Sequence, residues 1–459
     1  MTDFASLIQP DRGQPARTLH IVHPDAFDGW LKRQPPAVRA SAAAHRVTGQ
    51  AGDQAVLPGA KADEWTALLV CDEPLDSPWR FASQATALPA GTYRLDGPVG
   101  AGALGWLLAQ HRFDRYKAAK DNAPRILLTG EPARLDATVA LAAATALVRD
   151  LIDTPASDLG PAELADAVEA VGKMHGATPT ITKGHALETG YPLIHAVGQA
   201  AAKGREPRLI ELEWGDPKHP RIAIVGKGVC FDTGGLDIKP SAGMRLMKKD
   251  KGGAAHALAL AQLVMHARLP VRLHLLIPAV ENAVSAASAR PGDVHHSRQG
   301  LTVENTNTDA EGRLILADAL TRAGEGKPAL ILDFATLTGA ARVALGPDLP
   351  PLFANDDALA DDLLAAAAET RDPLWRMPLW DPYDDLLKSD IADLVNAPEG
   401  GFAGAVTAAL FLRRFVPADI AWAHLDVFGW RPVAKPGRPK GGEAYGLRAA
   451  WQMLQSRYK

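Results

Sequence analysis

Short apolar segments rich in β-branched residues alternate along this chain with longer, amphipathic segments rich in Ala and Leu. The short segments predict strands, at Leu19–Val22, Trp65–Cys71, Arg125–Thr129, Leu209–Trp214, Ile222–Val225, Val271–Ile277, Ala329–Phe334 and Ile420–Val427. The longer segments predict helices, at Gly105–Arg112, Ala137–Val148, Pro161–His175, Gly253–Ala267 and Leu314–Ala323. Strands that alternate with such helices predict an α/β fold, with parallel sheets covered by helices on both faces.

The length of the chain and one uncharged helix suggest how the alternation divides into domains. At 459 residues the chain has room for two or three domains of about 150 residues each. The helix predicted at Ala137–Val148 carries no charged residue, and we interpret it as the joint. We therefore predict an N-terminal α/β domain over residues 1–135, which is variable and non-catalytic. Residues 136–459 would form a linker helix and a larger domain, built on a mixed, mostly parallel sheet flanked by helices.

Charge and cysteine content exclude several function classes. Lys and Arg number 49 against 53 Asp and Glu, a net charge of −4 that offers no basic surplus to nucleic acid or an anionic membrane. Cys71 and Cys230 are far apart and outside any CxxC motif, which excludes a disulfide framework and favours a reducing compartment. The first residues lack a basic signal region, and no apolar run reaches the ~18 residues of a membrane span. We expect a cytoplasmic protein.

One glycine-rich motif resembles a cofactor site. Gly100–Gly105 reads GAGALG, which matches the GxGxxG pattern of dinucleotide binding, and Glu131 follows the next predicted strand where a ribose-binding acid would stand. The pattern should follow a buried apolar strand, whereas Tyr93–Pro98 reads YRLDGP. We therefore interpret the glycines as a turn into a helix that packs closely on its sheet. An NAD-dependent oxidoreductase is kept as a minor alternative.

The residues that can carry chemistry are concentrated between positions 227 and 313. The strand predicted at Ile222–Val225 is followed by Lys227, Asp232 and Lys239 in a glycine-rich segment. Ligands of open α/β sheets bind beyond the carboxyl ends of the strands. These three side chains therefore emerge where a binding site is expected.

Four carboxylates, those of Asp232, Asp250, Asp309 and Glu311, lie next to a predicted strand end or helix start. Asp309 and Glu311 are two residues apart, so both would point the same way in an extended segment. Converging carboxylates repel one another, and divalent metal ions that prefer oxygen ligands are the usual compensation. Asp also favours helix starts for local reasons. The spacing alone therefore leaves two readings open, a metal site and a set of helix caps.

Several longer motifs resemble the leucine aminopeptidase family, the cytosol aminopeptidases with two metal ions. Asn307–Leu314, NTDAEGRL, is similar to the signature octapeptide of that family, and Phe231–Gly235, FDTGG, to its other metal loop. Asp333–Ala340 resembles the substrate-lining strand and turn, and Ser389–Asp426 contains motifs that resemble the C-terminal stretch. The resemblance covers roughly residues 140–459 and is specific, because several long motifs occur in the order of the family.

The resemblance implies a dinuclear metal site with Mn or Zn ions. Its tight position would be formed by Lys227, Asp232, Asp250 and Glu311, and its exchangeable position by Asp232, Asp309 and Glu311. Asp232 and Glu311 would bridge the two ions. A lysine binds metal only as the neutral amine, so the pKa of Lys227 would have to be lowered strongly.

The resemblance also implies the reaction, which is hydrolysis of the N-terminal peptide bond. The nucleophile would be a water or hydroxide that bridges the two metal ions. Lys239 would stabilise the tetrahedral oxyanion together with one metal. The base would be a bicarbonate ion held by Arg313. Asp237 stands where the family often has serine, and we expect it to face solvent rather than to pair with Lys239.

Substrate binding and assembly are implied in the same way. The pocket for the N-terminal side chain would be lined by Met247, Thr336, Leu337 and Gly339. Phe428 occupies a position where relatives carry a small residue, which predicts that bulky N-terminal residues are handled poorly. Relatives form hexamers built as dimers of trimers, which implies a homohexamer.

A second class of function is kept as an alternative. Some relatives bind DNA, so a regulatory or DNA-binding protein that keeps the fold with little catalysis would explain the same motifs. The intact set of metal ligands and the net charge of −4 argue against it. A metal-dependent aminopeptidase is therefore the main hypothesis.

Overall fold

The computed structural model describes residues 2–59, 61, 63–118 and 123–459, which form two compact units. The first unit consists of Met1–Ala146 and Val433–Lys440, and the second of Leu147–Pro432 and Gly441–Lys459. The helix interpreted as the joint is longer than predicted and runs over Leu135–Asp153. The domain boundary at residue 135 stays a prediction.

The first unit is built on a six-stranded sheet. Its strands are β1 (Ile8–Pro10), β2 (Arg17–Val22), β3 (Gln54–Pro58), β4 (Trp65–Val70), β5 (Gly91–Leu95) and β6 (Arg125–Thr129). Its helices are α1 (Pro24–Lys32), α2 (Pro36–Ala44), α3 (Gln84–Ala87), α4 (Gly102–Gln110) and the start of α5 (Leu135–Asp153), with 3₁₀ helices at Phe4–Leu7 and Pro132–Arg134. The strand order is β1-β6-β5-β2-β4-β3, and only β3 pairs antiparallel. An α/β architecture is therefore confirmed for this unit.

The glycine-rich segment at residues 100–105 leads from β5 into α4. The expectation that no buried strand precedes it was wrong, because Tyr93 and Leu95 of β5 are buried. A Cβ atom on Gly105 would lie 2.0 Å from the carbonyl oxygen of Pro78. The close packing predicted for the glycines is therefore present, but its partner is the segment before α3 rather than the sheet.

The second unit contains the remaining elements. Its strands are β7 (Thr180–Lys183), β8 (Arg208–Trp214), β9 (Arg221–Gly226), β10 (Gly228–Asp232), β11 (Arg272–Asn282), β12 (Val294–His296), β13 (Thr302–Glu304), β14 (Leu330–Ala335), β15 (Pro351–Ala354), β16 (Trp375–Arg376), β17 (Leu394–Val395), β18 (Ala421–Asp426), β19 (Trp430–Arg431) and β20 (Gly441–Gly442). Its helices are α6 (Pro161–Met174), α7 (His185–Gly190), α8 (Pro192–Gly198), α9 (Ser241–Met244), α10 (Gly252–His266), α11 (Glu311–Glu325), α12 (Gly339–Leu345), α13 (Asp357–Thr370), α14 (Gly404–Arg413) and α15 (Leu447–Arg457), with 3₁₀ helices at Met247–Lys251 and Asp381–Leu387.

A nine-stranded mixed sheet organises the second unit. The order is β16-β15-β18-β14-β9-β11-β8-β7, and β10 pairs with β11 beyond the end of β9. The central strands β18, β14, β9 and β11 run parallel, whereas β15 and β8 pair antiparallel with the outer members of this group. Residues 222–225 of β9 are all buried, as expected for a strand covered on both faces. The predicted mixed, mostly parallel sheet flanked by helices is confirmed.

Strong apolar periodicity located the strands and helices that it predicted to within about five residues. The segments predicted at Pro161–His175, Gly253–Ala267 and Leu314–Ala323 are α6, α10 and α11. The strand β10 was missed because its flanking glycines read as a turn. A Cβ atom on Gly228 would lie 2.6 Å from the carbonyl oxygen of Pro278, so this glycine permits close strand pairing instead.

Helix α10 packs unusually close to the central strands, because small residues lie at the contact. A Cβ atom on Gly253 would lie 2.2 Å from the carbonyl oxygen of Phe334 in β14 and 2.8 Å from the backbone nitrogen of Lys227. The backbone nitrogen of Ala254 donates to the carbonyl oxygen of Lys227 at 2.8 Å. The start of α10 is thereby fixed against the carboxyl ends of β9 and β14. None of the described helices is long and apolar enough to cross a bilayer.

We expect Gly253→Ala to lower the stability of the second unit, because the added methyl group would overlap backbone atoms that cannot move independently. Overpacking of this kind typically costs about 1–3 kcal/mol. The measurement is the urea midpoint of unfolding in the presence of a chelator. The matched control is Gly401→Ala, since nothing lies within 4 Å of a Cβ atom at that position. Equal midpoints for the two variants would contradict the close packing.

Candidate metal centre

Carboxylates from three loops meet at the carboxyl edge of β9 and β10. Asp232 ends β10, Asp250 lies in the 3₁₀ helix that leads into α10, and Glu311 is the first residue of α11. Carboxylate oxygens of Asp232, Asp309 and Glu311 lie within 4.8 Å of one another. Asp232, Asp250 and Glu311 are each 2% exposed. The sheet edge therefore holds a compact, largely buried acidic cluster.

The reason given for the shared direction of Asp309 and Glu311 was wrong. The segment is not extended, because Asp309 lies in a turn and Glu311 begins a helix. Both carboxylates still reach the cluster, since the backbone turns at Ala310 (φ −110°, ψ 38°). The two acids meet through a turn and a helix start rather than through strand periodicity.

Lys227 lies between β9 and β10 and points into the cluster. Its Nζ lies 2.7 Å from Oδ2 of Asp250 and 2.9 Å from Oε1 of Glu311, and it donates to the carbonyl oxygen of Thr336 at 3.3 Å. Burial alone would lower the pKa of Lys227, but the surrounding carboxylates outweigh burial and raise it. Among protein groups alone, Lys227 is therefore a charged ammonium that neutralises Asp250 and Glu311.

Lys239 has the same relation to the other two acids. Its Nζ lies 2.8 Å from Oδ2 of Asp232 and also contacts Oδ1 of Asp309. Burial would lower the pKa of Lys239, and the charges of Asp232 and Glu311 raise it instead. The Lys239 side chain is 14% exposed against 3% for Lys227. Lys239 is therefore the lysine of the cluster with access to the open side of the site.

The two lysines do not balance the cluster. Four carboxylates face these two ammonium groups and that of Lys249, which lies 3.3 Å from Oδ1 of Asp250, so full ionisation leaves one negative charge uncompensated. Burial and the nearby charge of Asp232 raise the pKa of Glu311 to about 8. Its Oε2 is buried and has no hydrogen-bond partner within the described residues. Oxygen donors with unmet negative charge are what a hard divalent cation requires, so these residues fit metal ions.

Two neutral side chains orient the acids through hydrogen bonds to their carboxylates. Asn282 at the end of β11 donates from Nδ2 to Oδ1 of Asp232 at 2.9 Å and to the carbonyl oxygen of Thr308 at 3.1 Å. The Thr336 hydroxyl donates to Oδ1 of Asp250 at 2.7 Å. Such outer contacts fix the direction in which a ligating carboxylate points. Sequence reasoning did not identify Asn282, which carries no charge and lies outside the motifs.

Asp237 has a role that the sequence did not predict. Its Oδ2 accepts hydrogen bonds from the Thr308 backbone nitrogen at 2.7 Å and from the Thr308 hydroxyl at 3.1 Å. Asp237 is exposed, as expected, and within the described residues it makes no ion pair with Lys239. Asp237 instead ties the loop after β10 to the segment that carries Asp309.

Arg313, on the first turn of α11, is 7% exposed. Its Nη1 donates to the carbonyl oxygen of Asn396 at 2.7 Å, whereas its Nε has no hydrogen-bond partner within the described residues. Burial lowers its pKa to about 10, with Glu311 opposing. The Asn396 side chain accepts from the backbone nitrogens of Thr306 and Asn307. Asn396, which the sequence reasoning missed, thus joins Arg313 to the loop before Asp309.

The residues predicted to line a substrate pocket come from two segments beside the cluster. Met247 begins the 3₁₀ helix that contains Asp250, and Thr336, Leu337 and Gly339 form the turn from β14 into α12. Asp426 at the end of β18 fixes this turn, because Oδ1 accepts from the backbone nitrogen of Leu337 at 2.9 Å. Met247 and Thr336 are buried, Leu337 is half-buried and Gly339 is exposed.

Phe428 is half-buried, and two cations lie against its ring. The Nζ atom of Lys249 is 5.6 Å from the centre of its ring, and the Cζ atom of Arg342 is 4.7 Å from it. Burial lowers the pKa of Lys249 to about 8, while Asp250 opposes the shift. In the sequence, Lys249 stands out only as part of a run of basic residues, and Arg342 only as an arginine within a helical segment.

Comparisons with known proteins agree with the motifs. A family model described as the cytosol aminopeptidase family, catalytic domain, matches residues 146–450, and a model described as the M17 aminopeptidase, N-terminal domain, matches residues 18–129. A relative from Syntrophotalea carbinolica, named "Probable cytosol aminopeptidase", is 42% identical over 369 residues. That alignment covers 76% of this chain and 73% of the relative.

Solved structures give the same result across nearly the whole chain. A cytosol aminopeptidase from Coxiella burnetii superposes with a TM-score of 0.94 at 45% identity, covering 99% of this chain and all of the other. The bottromycin maturation enzyme BotP in complex with Mn superposes with a TM-score of 0.86 at 32% identity. It covers 96% of this chain and 100% of the other.

The uncompensated charge of the cluster predicts a pH dependence for the chelator-treated protein. A carboxyl group whose pKa is raised on folding binds a proton more tightly in the folded state, so stability falls as pH rises through the shifted range. The pKa of Glu311 is raised to about 8, so the range for this group runs from an ordinary pKa of roughly 4.3 up to about 8. Glu311→Gln should therefore be stabilising at pH 8 relative to the native chain, and less so at pH 5.5.

The measurement is the thermal unfolding midpoint of both proteins at the two pH values in excess chelator. Glu169→Gln, at an exposed position on α6, is the control and should show no pH-dependent difference. A Glu311→Gln effect that is independent of pH would contradict the raised pKa. Divalent metal should reverse the order, because the native carboxylate then has a cation to compensate its charge.

Proposed function

Because this chain belongs to the cytosol aminopeptidase family, we propose that it releases the N-terminal residue of peptides at a centre of two divalent metal ions. The chain is a metal-dependent aminopeptidase, and the proposal concerns how its own residues serve that activity. The observation that carries it is the buried cluster of four carboxylates and two lysines at the carboxyl edge of the sheet. The alternative of a regulatory or DNA-binding protein gains no support from relatives such as the one from Syntrophotalea carbinolica, which is named a probable cytosol aminopeptidase.

The residues that would hold the ions are Lys227, Asp232, Asp250, Asp309 and Glu311. Their support is chemical, since four of the five offer carboxylate oxygens, which suit Mn and Zn alike. The bridging positions would be Asp232 and Glu311. Glu311 is suited to this role because its Oε2 lacks a hydrogen-bond partner among the described residues. Lys227 would serve as a neutral amine, displaced from its pairing with Asp250 and Glu311 by the charge of the ions.

The chemistry that two bound ions supply is Lewis acidity and a water of lowered pKa. Lys239 is the cation of this chain that would face the scissile carbonyl. Among protein groups alone, its carboxylate partners raise its pKa against the effect of burial. An ammonium held at the site before reaction stabilises negative charge that develops on the carbonyl oxygen. Lys239 would therefore act as oxyanion donor.

Arg313 would hold a bicarbonate ion that accepts the proton of the attacking water. Its Nε has no partner among the described residues, so a buried guanidinium edge is available to an anion. Asn396 fixes the other side of the guanidinium through its carbonyl oxygen. A guanidinium suits the planar bicarbonate ion, because it can donate two parallel hydrogen bonds to it.

The proposal includes assembly into a homohexamer, as a dimer of trimers. The second unit exposes several aromatic side chains, with Trp375 57%, Trp380 55% and Phe402 90% exposed. Exposed apolar groups of this size are common where copies of a protein associate. This part rests on the family resemblance and on that apolar surface.

Metal content tests the ligand assignment directly. Asp232→Ala should lose both ions, because Asp232 would bridge them, whereas Asp309→Ala should lose one. The measurement is elemental analysis after dialysis against Mn, with circular dichroism to confirm folding. Asp361→Ala, exposed on α13, is the matched control and should bind as the native chain does. Two ions in the Asp232→Ala protein would show that the bridge is misassigned, and activity at zero metal content would refute the metal mechanism.

The role of Lys239 predicts a change in kcat rather than KM. Loss of one preorganised donor to an oxyanion typically lowers kcat about 10²–10³-fold. Lys239→Ala should show a loss of that size on leucyl amide, with KM nearly unchanged and both ions still bound. Lys218→Ala, at an exposed position, should leave both constants as they are. A rise in KM at constant kcat would instead assign Lys239 to ground-state binding.

A further inference from the structure

The second unit places two cations around one aromatic ring beside the metal centre. Lys249 directly precedes Asp250, and its Nζ lies 5.6 Å from the centre of the Phe428 ring. Arg342 lies on α12, three residues after Gly339, and its Cζ lies 4.7 Å from the same ring. The negative face of an aromatic ring attracts cations and holds them in place. Phe428 therefore has an ammonium and a guanidinium against its ring at the side of the site.

Lys249 is almost completely buried, although its ammonium group makes few hydrogen bonds. Its residue is 1% exposed, and within the described residues its Nζ has one hydrogen bond, to Oδ1 of Asp250 at 3.3 Å. An ammonium has three hydrogens to donate, and a buried charge is costly unless its hydrogen bonds are made. The Asp250 oxygen is shared as well, since the Thr336 hydroxyl donates to it at 2.7 Å. Lys249 thus has hydrogen-bonding capacity left for another acceptor.

The position of Lys249 determines what that acceptor can be. Lys249 lies in the 3₁₀ helix Met247–Lys251, and Arg342 follows the turn that contains Thr336 and Gly339. These two segments are those expected to bind the N-terminal side chain of a substrate. The inference rests on the proposed function, because the acceptor would be part of the peptide held at the metal centre.

We infer that Lys249 and Arg342 make this pocket cationic, so that the enzyme selects peptides that begin with Asp or Glu. A carboxylate in the pocket would receive charge-assisted hydrogen bonds from both cations. A leucine side chain would leave the buried ammonium unsatisfied, and a lysine side chain would be repelled. The volume taken by Phe428 adds to this discrimination, because it leaves less room for bulky apolar side chains.

The same contacts would also fit a purely structural role, in which Lys249 serves as a counter-charge to Asp250. The two roles differ in one measurable respect. A structural lysine would affect stability and metal affinity when replaced, and all substrates would be affected alike. A specificity lysine changes the ratio between acidic and neutral substrates at unchanged metal content.

The first experiment uses the native enzyme loaded with Mn and measures kcat/KM for the amides of Glu, Gln, Asp, Leu and Lys. Glu and Gln have nearly the same shape, so their ratio isolates the effect of charge. We expect Glu to exceed both Gln and Leu by roughly tenfold to a hundredfold, as charge-assisted hydrogen bonds allow. Free glutamate should also inhibit more strongly than free glutamine, and added salt should weaken that difference.

The second experiment replaces the cations by apolar side chains of similar length, in Lys249→Met and Arg342→Leu. Each variant should reduce the Glu to Leu ratio by about tenfold or more, and leucyl amide should still be hydrolysed. Lys248→Met is the matched control from the same 3₁₀ helix. Its Nζ contacts the carbonyl oxygen of Asp153 and the Trp430 ring rather than Phe428, so the ratio should not change. Elemental analysis of each variant shows whether both ions remain.

Each outcome decides between the possibilities. A native enzyme that prefers leucyl over glutamyl amide would overturn the inference and leave the aminopeptidase function intact. A Glu preference that survives in both variants would overturn the assignment to Lys249 and Arg342. Failure to hydrolyse any amide with both ions bound would instead contradict the proposed function. If neither variant folds, the Glu to Gln ratio and the inhibition constants of the native enzyme still decide.

Discussion

Electrostatic repulsion among four carboxylates is the constraint on which the second unit depends. Buried acids this close together disfavour the folded state unless cations and fixed hydrogen bonds compensate them. The fold meets this requirement at one place, the carboxyl edge of a parallel sheet, where β9, β10 and the loops before α10 and α11 converge. Lys227 and Lys239 supply charge, and Asn282 and Thr336 supply direction. The chain is a metal-dependent aminopeptidase, and the fold brings the groups proposed to carry its chemistry together in this cluster.

The side chains of Lys227 and Lys239 differ in how far they can move, because Gly312 packs directly against Lys227. A Cβ atom on Gly312 would lie 2.6 Å from Cε of Lys227, so the lysine stem lies directly against the backbone of α11. With 3% of its side chain exposed, Lys227 has no room to leave the acids, whereas Lys239 lies at the open side of the cluster. This difference supports the proposed division of roles, with Lys227 as a ligand and Lys239 as a donor to substrate. The glycine of the octapeptide is thus explained by a side chain that lies 85 positions earlier in the chain.

Periodicity predicted the central elements of the fold because burial leaves a strong signal in sequence. The strands β9, β14 and β18 and the helices α10 and α11 were found to within a few residues. β5 and β10 were missed, since their glycines and charged residues conceal strands that pair closely. The acids were found by residue type and resemblance, although the geometric reason given for Asp309 and Glu311 was wrong. Arg342 and Asn396 were missed, because their positions in the site depend on tertiary contacts that no local pattern encodes.

Charge counting connects the metal centre with its surroundings. Two divalent ions would carry four positive charges, equal to the charge of the four carboxylates that Lys227, Lys239 and Lys249 compensate only in part. With the acids compensated in this way, Lys239 and Lys249 would no longer be neutralised by the cluster, and Arg313 and Arg342 would add positive charge beside it. The open side of the site would then be positive toward any ligand. A peptide brings its own positive charge on the α-amine, so a negative side chain beside that amine would balance both charges. The charge of the metal cluster would in this way determine which charge the neighbouring pocket prefers on a substrate side chain.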